Sequence, residues 1–111
     1  MDQSVYIPMT KELAKQRAEL APDALSAFKA FSAAVFAEGA LSKKNKQLIA
    51  VAVAHVTQCP YCIKGHTEGA VRAGASEQEI MEAIWVAAEM RAGGAYAHSH
   101  LALETINQLK K

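Results

Sequence analysis

Cysteine is scarce in this chain of 111 residues: there are two, and they stand three positions apart. That count excludes a disulfide-stapled secreted scaffold, which needs several well-spaced pairs. Aromatic residues reach only 6%, so the apolar 51% is carried mainly by Ala, Leu, Val and Ile. Close-packed helices are the architecture that such small side chains favour. Neither sign of charge dominates, with 12 Lys and Arg against 11 Asp and Glu. No nucleic acid or membrane partner is therefore expected on electrostatic grounds. The longest apolar run, Leu48 to Ala54, is far too short to span a bilayer. The opening MDQSVYIPMT lacks the basic start and apolar stretch of a secretory leader, which predicts a cytoplasmic protein. There a stable structural disulfide is not expected, and a close cysteine pair means redox chemistry or metal. No Gly-rich nucleotide fingerprint is present, so no NAD(P)H or flavin cofactor is expected.

What is present is a series of helical patterns without repeats or linkers, read as one all-α domain over residues 1–111. Lys11 to Leu20 forms a short polar helix. Pro22 then suits a first turn, and Asp23 to Glu38 follows, with Leu25, Phe28, Phe31, Val35 and Phe36 on one broad face. Gly39 is predicted to end it as a left-handed cap. Ser42 suits the N-cap of a helix from Lys43 to about Thr57, apolar nearly all round from Leu48 and so expected to be buried. Pro60 opens the next helix, with Cys59 at or beside the N-cap and Gly74 as the stop. Ser76-Glu77-Gln78-Glu79 reads as a capping box for a helix carrying Ile80, Ile84, Trp85 and Ala88 on one side. Gly93-Gly94 is predicted to break that helix, and Ala95 to Leu109 to form the last of five or six.

The reactive side chains concentrate in HVTQCPYCIKGH, from His55 to His66. At about 100° per residue, Cys59 and Cys62 lie roughly 60° apart, and Cys62 and His66 roughly 40° apart. One helix face therefore carries all three. Unpaired N–H groups at the first turn favour a thiolate, and a histidine one turn deeper can take a proton from Cys62 or steady its anion. That is a coherent dithiol site.

These residues resemble a known family. The segment from Gly39 to Gly94, and within it LSKKNKQLIAVAVAHVTQCPYCIKGHTEGAVRAGASEQEI, is similar to the core of AhpD-like alkylhydroperoxidases within the carboxymuconolactone decarboxylase family. The Cys-x-x-Cys-x-x-x-His pattern, followed by Ala-Gly-Ala and a capping box, carries the likeness over about half of the chain. The resemblance implies an all-α fold assembled into homotrimers or homohexamers. It also implies reduction of hydroperoxides by a cysteine pair that is recharged by a disulfide-reducing protein or small dithiol, with no bound cofactor. Carried over, Cys59 and Cys62 are the redox pair and His66 the proton-relay histidine. Cys62, nearer to His66, is expected to attack the peroxide, and Cys59 to resolve the sulfenic acid.

One position departs from the pattern. Where the family relay has a glutamate, twelve residues before the first cysteine, this chain has Gln47. An amide can hold an imidazole but cannot take its proton. Glu68 points to nearly the opposite helix face from His66, and Glu38 lies outside the relay helix, so neither is an obvious substitute. His55 is the remaining relay candidate, or else a core histidine bonded near a helix end. His98 and His100, on different faces, read as structural or subunit-contact residues; Trp85, Met81 and Met90 read as core or interface.

Other functions compete with the peroxidase. His55, Cys59, Cys62 and His66 are ligand types for tetrahedral zinc, although a single helix face sets its ligands in a row. The lactone decarboxylation that names the wider family does not depend on a cysteine pair. A scaffold with vestigial chemistry is the last alternative, kept open by Gln47. Self-association is also expected on physical grounds, because so small a chain has few layers to cover an apolar helix.

Overall fold

A computed structural model of the chain describes residues 6–111; the first five residues, and with them half of the opening MDQSVYIPMT, lie outside it. Six α-helices make up the described residues, and no strand is present among them. The all-α fold expected from the sequence is the one found. The chain divides into two compact units, one up to Lys43 and the other from Lys44 to Lys111.

In the first unit, α1 (Lys11–Leu20) opens where the Thr10 hydroxyl accepts the Leu13 N–H at 3.1 Å. α2 (Pro22–Phe36) starts on a proline, whose fixed φ and missing N–H cost nothing in a first turn. It stops two residues before the predicted end, because Ala37 turns to extended backbone at φ −66° and ψ 150°. Gly39 is therefore not the left-handed cap that the sequence predicts, and it does not have positive φ. Instead the Glu38 carboxylate accepts the N–H of Lys43 at 2.7 Å, which ties the following loop together.

The second unit holds α3 (Lys43–Thr57), α4 (Pro60–Arg72), α5 (Glu77–Ala97) and α6 (Ser99–Leu109). Its buried positions are small: Val51 and Ala54 on α3, Ala70 on α4 and Ala87 on α5. Small residues at buried positions let helix backbones approach closely. Polar contacts repeat that pattern. Lys44 of α3 pairs with Glu79 of α5 at 2.8 Å. Gln47 of α3 bonds His66 of α4, and Arg91 of α5 reaches the Val56 carbonyl of α3 at 3.5 Å. Glu79 serves twice, since its carboxylate also accepts the Ser76 N–H of a complete capping box. The Lys44 ammonium first, and the Ser76 amide after it, hold its carboxyl below the usual range.

Three expectations change here. α3 is not buried all round: Ile49, Val53 and Val56 are about half exposed on the single chain. Trp85, Met81 and Met90, expected as core or interface, are likewise exposed, which removes the core half of that expectation. Gly93-Gly94 does not break α5, which continues to Ala97 and yields to α6 only at His98. Two helical glycines weaken a helix by about 2 kcal/mol together, and the flanking alanines and the long run of α5 before them can absorb that. Among the described residues, no helix is long and apolar enough to cross a membrane.

Candidate active site

The turn between α3 and α4 fixes the first cysteine by its backbone. Gln58 adopts a left-handed φ of 57°, and the next amide, that of Cys59, donates to the Ala54 carbonyl at 3.2 Å. A left-handed residue followed by a bond back five positions is a Schellman closure. α4 ends the same way, with Gly74 at φ 95° and the Ala75 N–H on the Ala70 carbonyl at 2.9 Å. Glycine takes that conformation freely, whereas a residue with a Cβ pays roughly 1 kcal/mol. The turn that delivers Cys59 is thus the strained one of the two.

Cys59 is also the N-cap of α4. Its backbone is extended, at φ −99° and ψ 104°, and its Sγ accepts the N–H of Cys62 at 3.3 Å. A sulfur so placed takes one of the donors that a helix start leaves unpaired, and it lies at the positive end of the dipole. Both cysteines are free thiols, near one another but not bonded. Hydrogen bonds from the Cys62 thiol, then from the amides of Cys62 and Tyr61, hold Cys59 below the usual thiol range against a smaller opposing push from burial. Cys62 moves the other way. The hydrogen bond it gives to Cys59, its own burial, and the negative charge on Cys59 all push it up. The pair therefore favours Cys59 as the sulfur that ionises first, whereas nearness to His66 along the helix favours Cys62.

His66 lies one turn beyond Cys62 on α4 and is half-buried. Its Nδ1 is 2.9 Å from Oε1 of Gln47. An amide oxygen can only accept, so Nδ1 carries the hydrogen and Nε2 is the basic nitrogen of the neutral ring. The structure thus joins Gln47 to His66 across two helices, as the family's relay geometry implies. It does not join His55 to them through Nδ1, which bonds the Val51 carbonyl of its own helix at 2.7 Å. His98 and His100 likewise bond carbonyls of their own turns, those of Gly94 and Ala97, and both are exposed. Glu68 is on the surface, 3.9 Å from Arg72. Among the described residues no group of three or more His, Cys, Asp or Glu is arranged to hold a metal ion. The zinc reading of His55, Cys59, Cys62 and His66 therefore lacks a geometric basis: four ligands in file along one chain segment do not converge.

One residue of the site has no chemical signature in the sequence. Gly69 lies against the Gln47 amide, where a Cβ would stand 2.7 Å from Oε1. Its spacing from His66, three positions along one helix face, is the signal that could have marked it.

Comparison with known proteins agrees with this architecture. Residues 22–105 match the carboxymuconolactone decarboxylase family. An uncharacterised protein of the cox locus in Paracoccus denitrificans is 66% identical over 83 residues, covering 75% of each chain. A crystal structure from Methanobacterium thermoautotrophicum shares 39% identity at a TM-score of 0.71, covering 76% of this chain and 94% of its own. An apo carboxymuconolactone decarboxylase family protein from Legionella pneumophila shares 36% identity at a TM-score of 0.67, covering 90% of this chain and 88% of its own. On its sequence and on its helical architecture alike, this chain belongs to the carboxymuconolactone decarboxylase family.

Proposed function

We propose that the chain is a thiol-dependent oxidoreductase of the AhpD-like type, which reduces hydroperoxides through Cys59 and Cys62 and is recharged by an external dithiol. The observation that carries this reading is the capping bond: the Cys59 sulfur accepts the Cys62 N–H at a helix start while the second thiol stands beside it. In the first step the Cys59 thiolate attacks a peroxide oxygen. An S–O bond forms, the O–O bond breaks, and the alkoxide leaves as an alcohol on taking a proton. In the second step Cys62 gives its proton to Nε2 of His66 and attacks the sulfenic sulfur. An S–S bond forms, and hydroxide departs as water on taking that proton. The dithiol has lost two electrons and the peroxide has gained them. A small dithiol or a disulfide-reducing protein then restores both thiols by exchange, so no bound cofactor is required. A reducing, cytoplasmic setting suits that recharging.

One equivalent of hydroperoxide added to the reduced protein should produce an intramolecular Cys59–Cys62 disulfide, seen by mass spectrometry as the loss of two hydrogens. Thiols that stay reduced under that challenge would defeat the reading and favour a scaffold with vestigial chemistry. Lactone decarboxylation receives no support from a site whose reactive groups are two sulfurs and an imidazole.

Self-association belongs to the same proposal. Among the described residues only Val51 and three alanines are buried, while Ile49 and Val53 of α3, Trp85 and Met90 of α5, and Phe28 and Phe31 of α2 are each half exposed or more. Apolar side chains at this density on a chain whose net charge is only +1 favour a second copy as the cover. Light scattering should give the mass of a homotrimer or homohexamer; the mass of one chain would overturn it.

A further inference from the structure

We infer that Gly69 is a positioning residue: the absence of a side chain at this point of α4 is what allows the Gln47 amide to lie against the helix and hold the His66 ring. The inference rests on the dithiol reading for its consequence in turnover, but its geometry stands independently. A Cβ built on Gly69 meets Gln47 Oε1 at 2.7 Å, Cδ at 2.8 Å and Nε2 at 3.1 Å. All three atoms belong to the amide whose oxygen accepts from His66 Nδ1 at 2.9 Å. A carbon cannot approach an oxygen or another carbon that closely, so the amide would have to move.

The amide is the far end of a flexible side chain, and α3 need not move with it. The substitution is therefore mild for the fold and harmful for the site. Helix propensity leads to the same conclusion, since alanine is a better helix former than glycine in mid-helix and α4 itself should not suffer. Gly65 supplies an internal control. It lies on the same helix, next to His66, and a Cβ there meets nothing within 4 Å. The two glycines share a helix and a propensity and differ in what a methyl group would touch.

Once the amide is displaced, the imidazole loses the acceptor that keeps its hydrogen on Nδ1. The ring then exchanges between tautomers, and Nε2 is no longer consistently the basic nitrogen available to Cys62. Gly69 does not touch substrate or sulfur; it acts through Gln47 alone. That chain of dependence makes the effect conditional, and the condition can be tested.

The experiment is a double-mutant cycle read by two measurements, the ¹⁵N signature of the His66 ring and the rate of disulfide formation with hydroperoxide. In the wild type the ring nitrogens should report a single Nδ1–H tautomer. In Gly69→Ala they should report a mixture, with the rate down about threefold to tenfold, the size of one ordinary hydrogen bond. Gly65→Ala should match the wild type in both. In the Gln47→Ala background, which already lacks the amide, adding Gly69→Ala should change neither measurement. A Gly69→Ala protein with the wild-type ring signature would overturn the inference, and so would an undiminished effect in the Gln47→Ala background. Should Gly69→Ala fail to fold, the Gln47→Ala/Gly69→Ala protein decides: recovery of folding supports the clash, and failure to recover refutes it. A ring signature that responds as described, in a protein whose wild type forms no disulfide, would refute the dithiol reading and leave the placement of Gly69 standing.

Discussion

Cys59→Ser should abolish peroxide-dependent oxidation of the site, lowering its rate on the order of 10³-fold or more, as expected when a nucleophile is removed. Cys62→Ser should instead stop the reaction halfway, leaving a sulfenic acid on Cys59 that a dimedone-type probe can capture. This asymmetry follows from which sulfur accepts and which donates. The Cys59 sulfur takes the Cys62 N–H at 3.3 Å and occupies the N-cap, whereas Cys62 is one turn inside the helix. The Cys62 thiol and the amides of the first turn lower Cys59, while the bond to Cys59, burial and the Cys59 charge raise Cys62. As the pH rises, Cys59 therefore loses its proton first, and the second ionisation waits until above the usual thiol range. Near neutral pH, limiting iodoacetamide should label Cys59 ahead of Cys62, although Cys62 is the more exposed of the two. A serine at 59 carries no charge and gives Cys62 no thiolate to donate to, so two of the causes that raise Cys62 disappear. The lone thiol of Cys59→Ser should then alkylate faster than Cys62 does in the wild type. Capture of a sulfenic acid on Cys62 in Cys59→Ser, with none on Cys59 in Cys62→Ser, would reinstate the order read from helical spacing.

The order of the two sulfurs marks where sequence reading stops. Capping chemistry places Cys59 at or beside the N-cap of α4 and Pro60, Ser76 and Gly74 at helix ends, and the structure has these where the sequence predicts them. Local rules suffice for such features because each is settled within four or five residues. The order of ionisation is not of that kind, since it depends on the direction of a hydrogen bond between two identical groups. Gly93-Gly94 fails for a different reason. A glycine pair weakens a helix without stopping it, and nothing at those positions imposes a left-handed residue or removes an N–H. The helix ends four residues later at His98, whose amide and ring both turn back to the Gly94 carbonyl, at 3.2 and 2.6 Å. Gly39 fails because Ala37 leaves the helix in extended geometry before a glycine is needed. Gly69 is marked in the sequence only by its spacing of three from His66, which does not tell its role. Its role depends on a side chain from another helix, and no periodicity within α4 reports what lies against it.

Gln47→Glu is the substitution with the largest expected gain. It exchanges the amide beside His66 for a carboxylate of nearly the same volume, in a space that Gly69 already leaves open. The wild-type amide accepts the Nδ1 hydrogen and does nothing further, because it can neither take a proton nor balance a positive ring. When Nε2 takes the proton of Cys62, the imidazolium that results has no countercharge at 2.9 Å. A carboxylate there would supply one, and a hydrogen bond to a charged group exceeds a neutral one by about 1 kcal/mol. Disulfide formation with hydroperoxide should therefore run roughly five to ten times faster in Gln47→Glu than in the wild type. The gain belongs to the second step, where Cys62 must lose its proton. In the Cys62→Ser background, dimedone-type capture on Cys59 should thus proceed at the same rate with or without the added Gln47→Glu. A new negative charge near the pair could instead disfavour the Cys59 thiolate, and iodoacetamide labelling of Cys59 distinguishes the two effects. Faster disulfide formation with unchanged labelling places position 47 in the proton relay. An unchanged or slower rate would show that the Gln47–His66 bond orients the ring and carries no part of the proton transfer.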